Sequence, residues 1–255
     1  MKKNNKISFY LLIILIILLI IFIYSLINII SWYKDSKITK INQNKILNKI
    51  KINEIKTNFE DTNNDNFIDV NLTDLKKINS DVIGWLKVSG TKINYPYVKT
   101  DNNTFYLTHS IDKSKNNAGW VFLDYRNNSN NYDKNSIIYA HARVDKTMFG
   151  SLKDTLTKEW FNNINEKVVK TSTLTENSIW QIFSVYKIKN TTDYLKINFK
   201  DDEEFLTFID VLKQRSVFNF DVDINKGDKI LTLSTCFNKN EKTVLHAKLI
   251  KTYKR

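Results

Sequence analysis

Ile230-Leu231-Thr232-Leu233-Ser234-Thr235-Cys236 is the stretch on which the reading of this chain turns. Apolar and hydroxyl-bearing side chains alternate along it, the period-two pattern of a β-strand with one face packed. It ends on the one cysteine among 255 residues, where the strand gives way to the polar loop Phe237-Asn238-Lys239-Asn240-Glu241. A lone cysteine is often a small core hydrophobe. A thiol at a strand end has the access that a nucleophile needs, provided a base or cation lies nearby to favour the thiolate. Strand alternation puts Ser234 on the same face as Cys236, and Thr235 flanks it, so both hydroxyls are candidates for contact with the thiol or a substrate.

Three histidines are candidate partners. His141 follows the apolar strand Ile137–Tyr139, at the lip of the loop Ala142-Arg143-Val144-Asp145; His109 sits in the polar stretch Thr108-His109-Ser110; His246 lies inside the strand Val244-Leu245-His246-Ala247, where a structural role is expected. The rest of the chain from Asn71 is rich in short β signals: Trp85–Val88, Ile93–Tyr95, Gly119–Phe122, Ser136–Tyr139, Val168–Thr171 and Trp180–Ile188. Two helices interrupt them. Thr73 followed by Asp74–Ile78 suggests a short capped helix. In 201–216 an acidic start precedes Phe205, Phe208, Ile209 and Leu212, the i, i+3, i+4, i+7 stripe of an amphipathic helix. Asp124 and Arg126 read as a structural ion pair.

At the other end, the 22 residues Phe9–Ile30 are interrupted only by Ser25 and Asn28. As a helix they would be about 33 Å long, against ~30 Å of bilayer hydrocarbon. No small-residue cleavage pattern follows, so a retained anchor is expected rather than a signal peptide. Lysines flank both ends of the run. The short N-terminal tail and the long C-terminal domain favour a cytoplasmic N-terminus with the domain outside the cell. The expected organisation is a tail over 1–7, a transmembrane helix over 8–31, a stalk or linker over 32–71, and a catalytic domain over 72–255. Within the stalk, positions 34–56 carry seven lysines on a weak helical period, and Glu60–Asp69 is acidic and Asn-rich.

Composition removes several classes. Five scattered glycines cannot build a dinucleotide or phosphate loop, and one cysteine with no His-Glu-x-x-His leaves no zinc site of familiar type. The net charge of +12 is spread along the chain and carried mostly by lysine, with only Arg126, Arg143, Arg215 and Arg255 as arginines. A nucleic-acid partner is not expected, since such binders cluster their charge.

Leu233-Ser234-Thr235-Cys236 resembles the signature of sortases, the Gram-positive cysteine transpeptidases. Further pieces match the class B branch in order: Asn94-Tyr95-Pro96, Tyr106-Leu107-Thr108-His109, Phe122-Leu123-Asp124-Tyr125-Arg126, and Tyr139-Ala140-His141 before Met148-Phe149-Gly150. The likeness runs over about residues 72–251. It implies a mostly β fold with peripheral helices: an eight-stranded sortase-type barrel with an N-terminal helical extension behind the transmembrane helix. It makes Cys236 the nucleophile and His141 the catalytic histidine, and assigns His109 to packing. The family's basic third residue, an arginine, falls on Lys242, a departure that leaves Arg143 or Arg126 as other sources of positive charge and Arg143 as a substrate-binding candidate. The implied reaction cuts an Asn-Pro-x-Thr-type C-terminal sorting signal of a secreted protein through a Cys thioester. It then passes the protein to an amine of peptidoglycan or its lipid-linked precursor, with no cofactor and no metal. The competing expectations are a cysteine hydrolase of another family and a membrane-tethered binding module without catalysis.

Overall fold

The structure, a computed structural model, describes residues 4–55, 66–189, 191–236 and 241–255. In chain order its elements are α1 (Asn4–Lys49), β1 (Ile52–Ile55), β2 (Phe67–Val70), α2 (Thr73–Ile78), β3 (Val82–Val88), β4 (Asn94–Val98), β5 (Phe122–Leu123) and β6 (Asn135–His141). There follow α3 (Lys158–Asn163), β7 (Val168–Thr173), β8 (Glu176–Ile188), α4 (Asp202–Arg215), β9 (Ile230–Cys236) and β10 (Lys242–Lys254).

Eight strands close into the expected barrel in the order β10-β8-β7-β3-β4-β5-β6-β9, while β1 and β2 form a separate ribbon. Closure gives every barrel strand a neighbour on both sides. Most neighbours are antiparallel, but β4 with β5 and β6 with β9 run parallel. Trp85, Trp180, Leu86, Ile137, Leu231 and Leu233 are all buried in the main hydrophobic core. The alternation read in 230–236 sends Ile230 outward instead, into a second layer where Phe205, Ile209 and Leu212 of α4 cover Phe183, Tyr186 and Val244. Helix α4 starts where its acidic turn predicted: the Asp201 carboxylate caps it by accepting the Glu204 N–H at 2.9 Å. Helix α2 begins at Thr73, but Thr73 is not the cap; the Asn71 side-chain oxygen accepts its N–H at 3.0 Å.

The stretch 32–71, read as a stalk, takes a different form. Helix α1 does not stop at the end of the apolar run. It continues to Lys49, and its last turns lie on the barrel, with Ser36, Thr39, Ile46 and Ile50 buried. Phe67–Val70 of the Asn-rich segment is strand β2, with Phe67, Ile68 and Val70 buried, whereas residues 56–65 lie outside the described residues. Sparse isoleucines at helical spacing suffice here because the barrel supplies the apolar surface opposite them. The first part of α1, from Phe9, is long and apolar enough to cross a membrane and is not buried against the rest of the described residues.

His246 is fully buried beneath α4. Thr232 spends its hydroxyl proton on Asn135 Oδ1 at 2.7 Å. The His246 Nδ1–H therefore donates to the Thr232 oxygen, and Nε2 accepts from the Tyr186 hydroxyl, both at 2.9 Å. Burial, then the charge of Arg215, push its pKa down to about 3. Between about pH 3 and 6.5 the unfolded chain binds a proton that the folded chain refuses. This contribution is therefore complete above about 6.5 and is lost as the pH falls, by up to about 1.4 kcal/mol per pH unit. In thermal unfolding of the detergent-solubilised chain, His246→Gln should be less stable than wild type at pH 7.5. The gap should narrow markedly by pH 5.

Candidate active site

Parallel pairing of β6 and β9 places the ends of the two strands side by side, and the register runs from Asn135↔Ile230 to His141↔Cys236. Residues paired across a sheet share a face. The apolar runs of both strands thus deliver the histidine and the cysteine to one end of the barrel, where the strands leave the core. On the other side of β9, β10 runs antiparallel with Val244 opposite Ser234. The Thr243 N–H donates to the Thr235 hydroxyl at 2.9 Å, so the same register carries Lys242 to the level of Cys236.

His141 is partly buried. Its Nε2 lies 2.8 Å from the Leu107 carbonyl oxygen. A carbonyl can only accept, so Nε2 carries the proton and Nδ1 is left as the basic nitrogen. Burial lowers the pKa of the ring; the Leu107 carbonyl pulls it up and the charge of Arg143 pushes it down again. The imidazole is therefore neutral at pH 7 and is poised to accept a proton. Gly119 makes room for it. Its φ is +62°, and a Cβ there would stand 2.5 Å from the Tyr106 carbonyl oxygen and 3.1 Å from His141 Cδ2, too close for any larger residue. Beyond the histidine, the loop folds back on itself: the Phe149 N–H donates to the His141 carbonyl at 3.0 Å.

A cavity of about 240 Å³ opens beside the strand ends, lined by Leu107, Phe122, Tyr139, Tyr194, Ser234 and Lys242 among others. Its walls are mostly apolar with a few polar tips, the usual form of a ligand pocket. Ser234 and Tyr194 share a hydroxyl hydrogen bond at 3.0 Å. Thr235 also lines the cavity. The Lys242 ammonium lies 5.7 Å from the Tyr194 ring centre and donates to the Thr191 carbonyl at 3.3 Å.

The other candidates lie elsewhere. Arg143 is turned away from this cavity: its guanidinium lies 5.2 Å from the Trp32 ring of α1 and donates to the Trp32 carbonyl at 3.4 Å. Arg126 forms the expected ion pair, its Nε and Nη2 donating to Asp124 at 2.9 and 2.7 Å, and Tyr139 donates to the same buried carboxylate at 2.9 Å. His109 stacks on Phe105 at 4.0 Å and bonds the Phe105 carbonyl through Nδ1 at 2.8 Å. Both His109 and His246 are satisfied structural groups. Gly119 and Tyr194 went unremarked as site residues in the sequence. Gly119 could have been suspected, as one of few glycines just before a strand; Tyr194 has no local mark, because only the barrel brings it to Ser234.

The sortase domain family matches residues 86–250 of this chain. Sortase B of Staphylococcus aureus is 35% identical over 181 residues, 69% of this chain and 73% of that protein. A sortase B-like protein from Bacillus anthracis superposes with a TM-score of 0.70 at 33% identity, covering 88% of this chain and 98% of the other. A sortase B complexed with triglycine superposes with a TM-score of 0.66 at 35% identity, covering 70% and 84%.

Because Arg143 depresses the histidine's pKa, Arg143→Gln should raise the His141 pKa toward 6.5. NMR titration of the ring protons measures the change; an unmoved His141 would contradict the electrostatic account.

Proposed function

From the premise that this chain belongs to the sortase family, as a class B cysteine transpeptidase, we propose that Cys236 is its nucleophile, His141 its proton carrier and Lys242 its oxyanion-side cation. We propose further that the substrate is a secreted protein bearing an Asn-Pro-x-Thr-type C-terminal signal. In this reading α1 anchors the enzyme in the cell membrane, with its N-terminus in the cytoplasm and the barrel outside. The observation that carries the assignment is the register His141↔Cys236 at the open ends of two parallel strands.

The chemistry follows from the protonation states. Neutral His141 takes the thiol proton on Nδ1, and the thiolate attacks the carbonyl carbon of the signal's threonine. Negative charge then develops on the carbonyl oxygen. A lysine ammonium at the level of the cysteine stabilises it as a point charge, without the two-pronged geometry of arginine. The imidazolium returns its proton to the leaving amine as the C–N bond breaks, which leaves a thioester on Cys236. An amine of peptidoglycan or its precursor attacks the thioester, His141 takes up the amine's proton, and the thiolate leaves. The relative crystallised with triglycine supports an oligoglycine-like acceptor. The apolar cavity beside Ser234 supports binding of the signal's side chains.

The test uses the full chain in detergent with a fluorogenic Asn-Pro-x-Thr peptide, with and without triglycine. Cys236→Ala and His141→Ala should each lose about 10³-fold or more in kcat/KM. Lys242→Ala should lose about 10²-fold, mainly in kcat, while Lys242→Arg keeps most activity. Triglycine should yield a peptide–glycine product by mass spectrometry. Turnover that survives Cys236→Ala would overturn the assignment, and release to water with triglycine ignored would mark a hydrolase.

A further inference from the structure

The docked half of α1 meets the barrel in a sequence of contacts that climbs the helix. Lowest is Trp32, against which Arg143 packs. Asp35 follows, its carboxylate accepting from the Asn117 side chain at 3.1 Å. Ser36 donates to Asp145, and Lys40 pairs with the same carboxylate at 3.5 Å. Asn42 then donates to the Ser110 hydroxyl at 3.0 Å, and Gln43 accepts from the Tyr95 hydroxyl at 2.9 Å. Ile46 and Ile50 end the series in the core. At ~1.5 Å of rise per residue, Gln43 stands about 17 Å above Trp32 and Ile50 about 27 Å above it. The helix is continuous from the apolar run through all of these contacts but Ile50, which directly follows its end at Lys49, so the barrel cannot swing on it as a domain swings on a flexible linker.

Trp32 stands two residues past the last residue of the apolar run, Ile30, and with Tyr33 it is exposed on the helix. Aromatic residues at this point belong to the interfacial belt of a membrane span. Arg143, in the loop directly after His141, reaches down to that level. Val144, at the tip of this loop, is 83% exposed, an unusual state for a branched aliphatic side chain with no neighbour to cover it. Its flanking residues are fastened. Arg143 is held on Trp32. Asp145 is kept ionised, with a pKa of about 2: burial would raise it, but the Ser36 and Thr147 hydroxyls, the Thr147 N–H and Arg143 outweigh burial.

We propose that the loop Ala142–Lys146 is a membrane-contacting edge of the barrel, seated by the Trp32–Arg143 and Ser36–Asp145 contacts against the interfacial layer of the bilayer with Val144 directed into it. The proposal rests on the reading that α1 spans the membrane. It gives the docked helix a second role, as a spacer of fixed length that holds the His141 end of the barrel at the membrane surface and the β1–β2 ribbon away from it.

Cys236 is the only cysteine, so Cys236→Ser provides a background for single-site labelling that does not depend on activity. In it, Val144→Cys and, at the far end, Leu174→Cys (49% exposed) are labelled with an environment-sensitive fluorophore. The full chain is reconstituted into phosphatidylcholine–phosphatidylglycerol vesicles that carry a headgroup-attached nitroxide quencher. The Val144 label should be quenched at least threefold more than the Leu174 label, with a blue-shifted emission. Adding Trp32→Ala with Ser36→Ala should cut that difference by half or more while the barrel's thermal transition stays in place. Equal quenching at the two sites in vesicle-bound protein would overturn the proposal and leave the transpeptidase reading intact. Failure of the chain to float with the vesicles would overturn the anchor and this proposal together. Retained activity toward the sorting peptide in wild-type protein of the same preparation would show the enzymatic reading standing without them.

Discussion

Everything at the site depends on the parallel register between β6 and β9. Register decides which residues meet, so a slip of one residue would break the pairing of Cys236 with His141. Parallel pairing has no hairpin to set its register, and here polar groups inside the sheet do it. The Asn135 side chain accepts from Thr232 at 2.7 Å. The Asn127 side chain accepts the Ile137 N–H at 2.8 Å and donates to the Asn135 carbonyl at 2.9 Å. These groups are buried, so losing a partner costs about 1–3 kcal/mol each. The Asn127 bonds hold Asn135 and Ile137 of β6 in place, and a slipped register would strand the bond that Asn135 makes across to Thr232.

The charges around the strand ends are sorted by what they already hold. Arg126 is occupied by the buried carboxylate of Asp124, and the pair keeps Asp124 ionised against the pull of burial. Arg143 is occupied by Trp32 and Asp145. Among the described residues that line the cavity, Lys242 is the cation. The barrel thus presents a neutral histidine and an ammonium beside an apolar groove. The proposed reaction, in which a proton is first taken and a transient negative charge is then sheltered, uses this combination.

The outer half of α1 ties this end of the molecule to the apolar span. A flexible linker of similar length would let the barrel sample a large volume above a membrane. A docked helix removes that freedom, and side-chain contacts along its length offset the entropy. The loop after His141 is then shared. Its Met148 N–H donates to Tyr95 at 3.1 Å, and Tyr95 in turn donates to Gln43 of α1. Helix, loop and histidine form one connected piece.

Local pattern alone determined the strand ending in Cys236, the amphipathic helix α4, the apolar span, and the resemblance in Leu233–Cys236 and Tyr139–His141 that pointed to a barrel with these two residues together. Such features are legible because period and motif live within a few neighbouring residues. The pairing of β6 with β9, the bond from His141 to the Leu107 carbonyl, and the approach of Tyr194 to Ser234 join positions far apart in sequence, and no local rule reaches across that distance. The stretch 32–50 was the hardest to read. Its few isoleucines are too sparse to specify a helix in water, and lysine-rich composition reads as a solvated tether. Only when the barrel turns Tyr95, Asp145 and the core toward it does that segment gain the partners that make it a docked helix, because a helix with a thin apolar stripe draws its stability from the surface it meets.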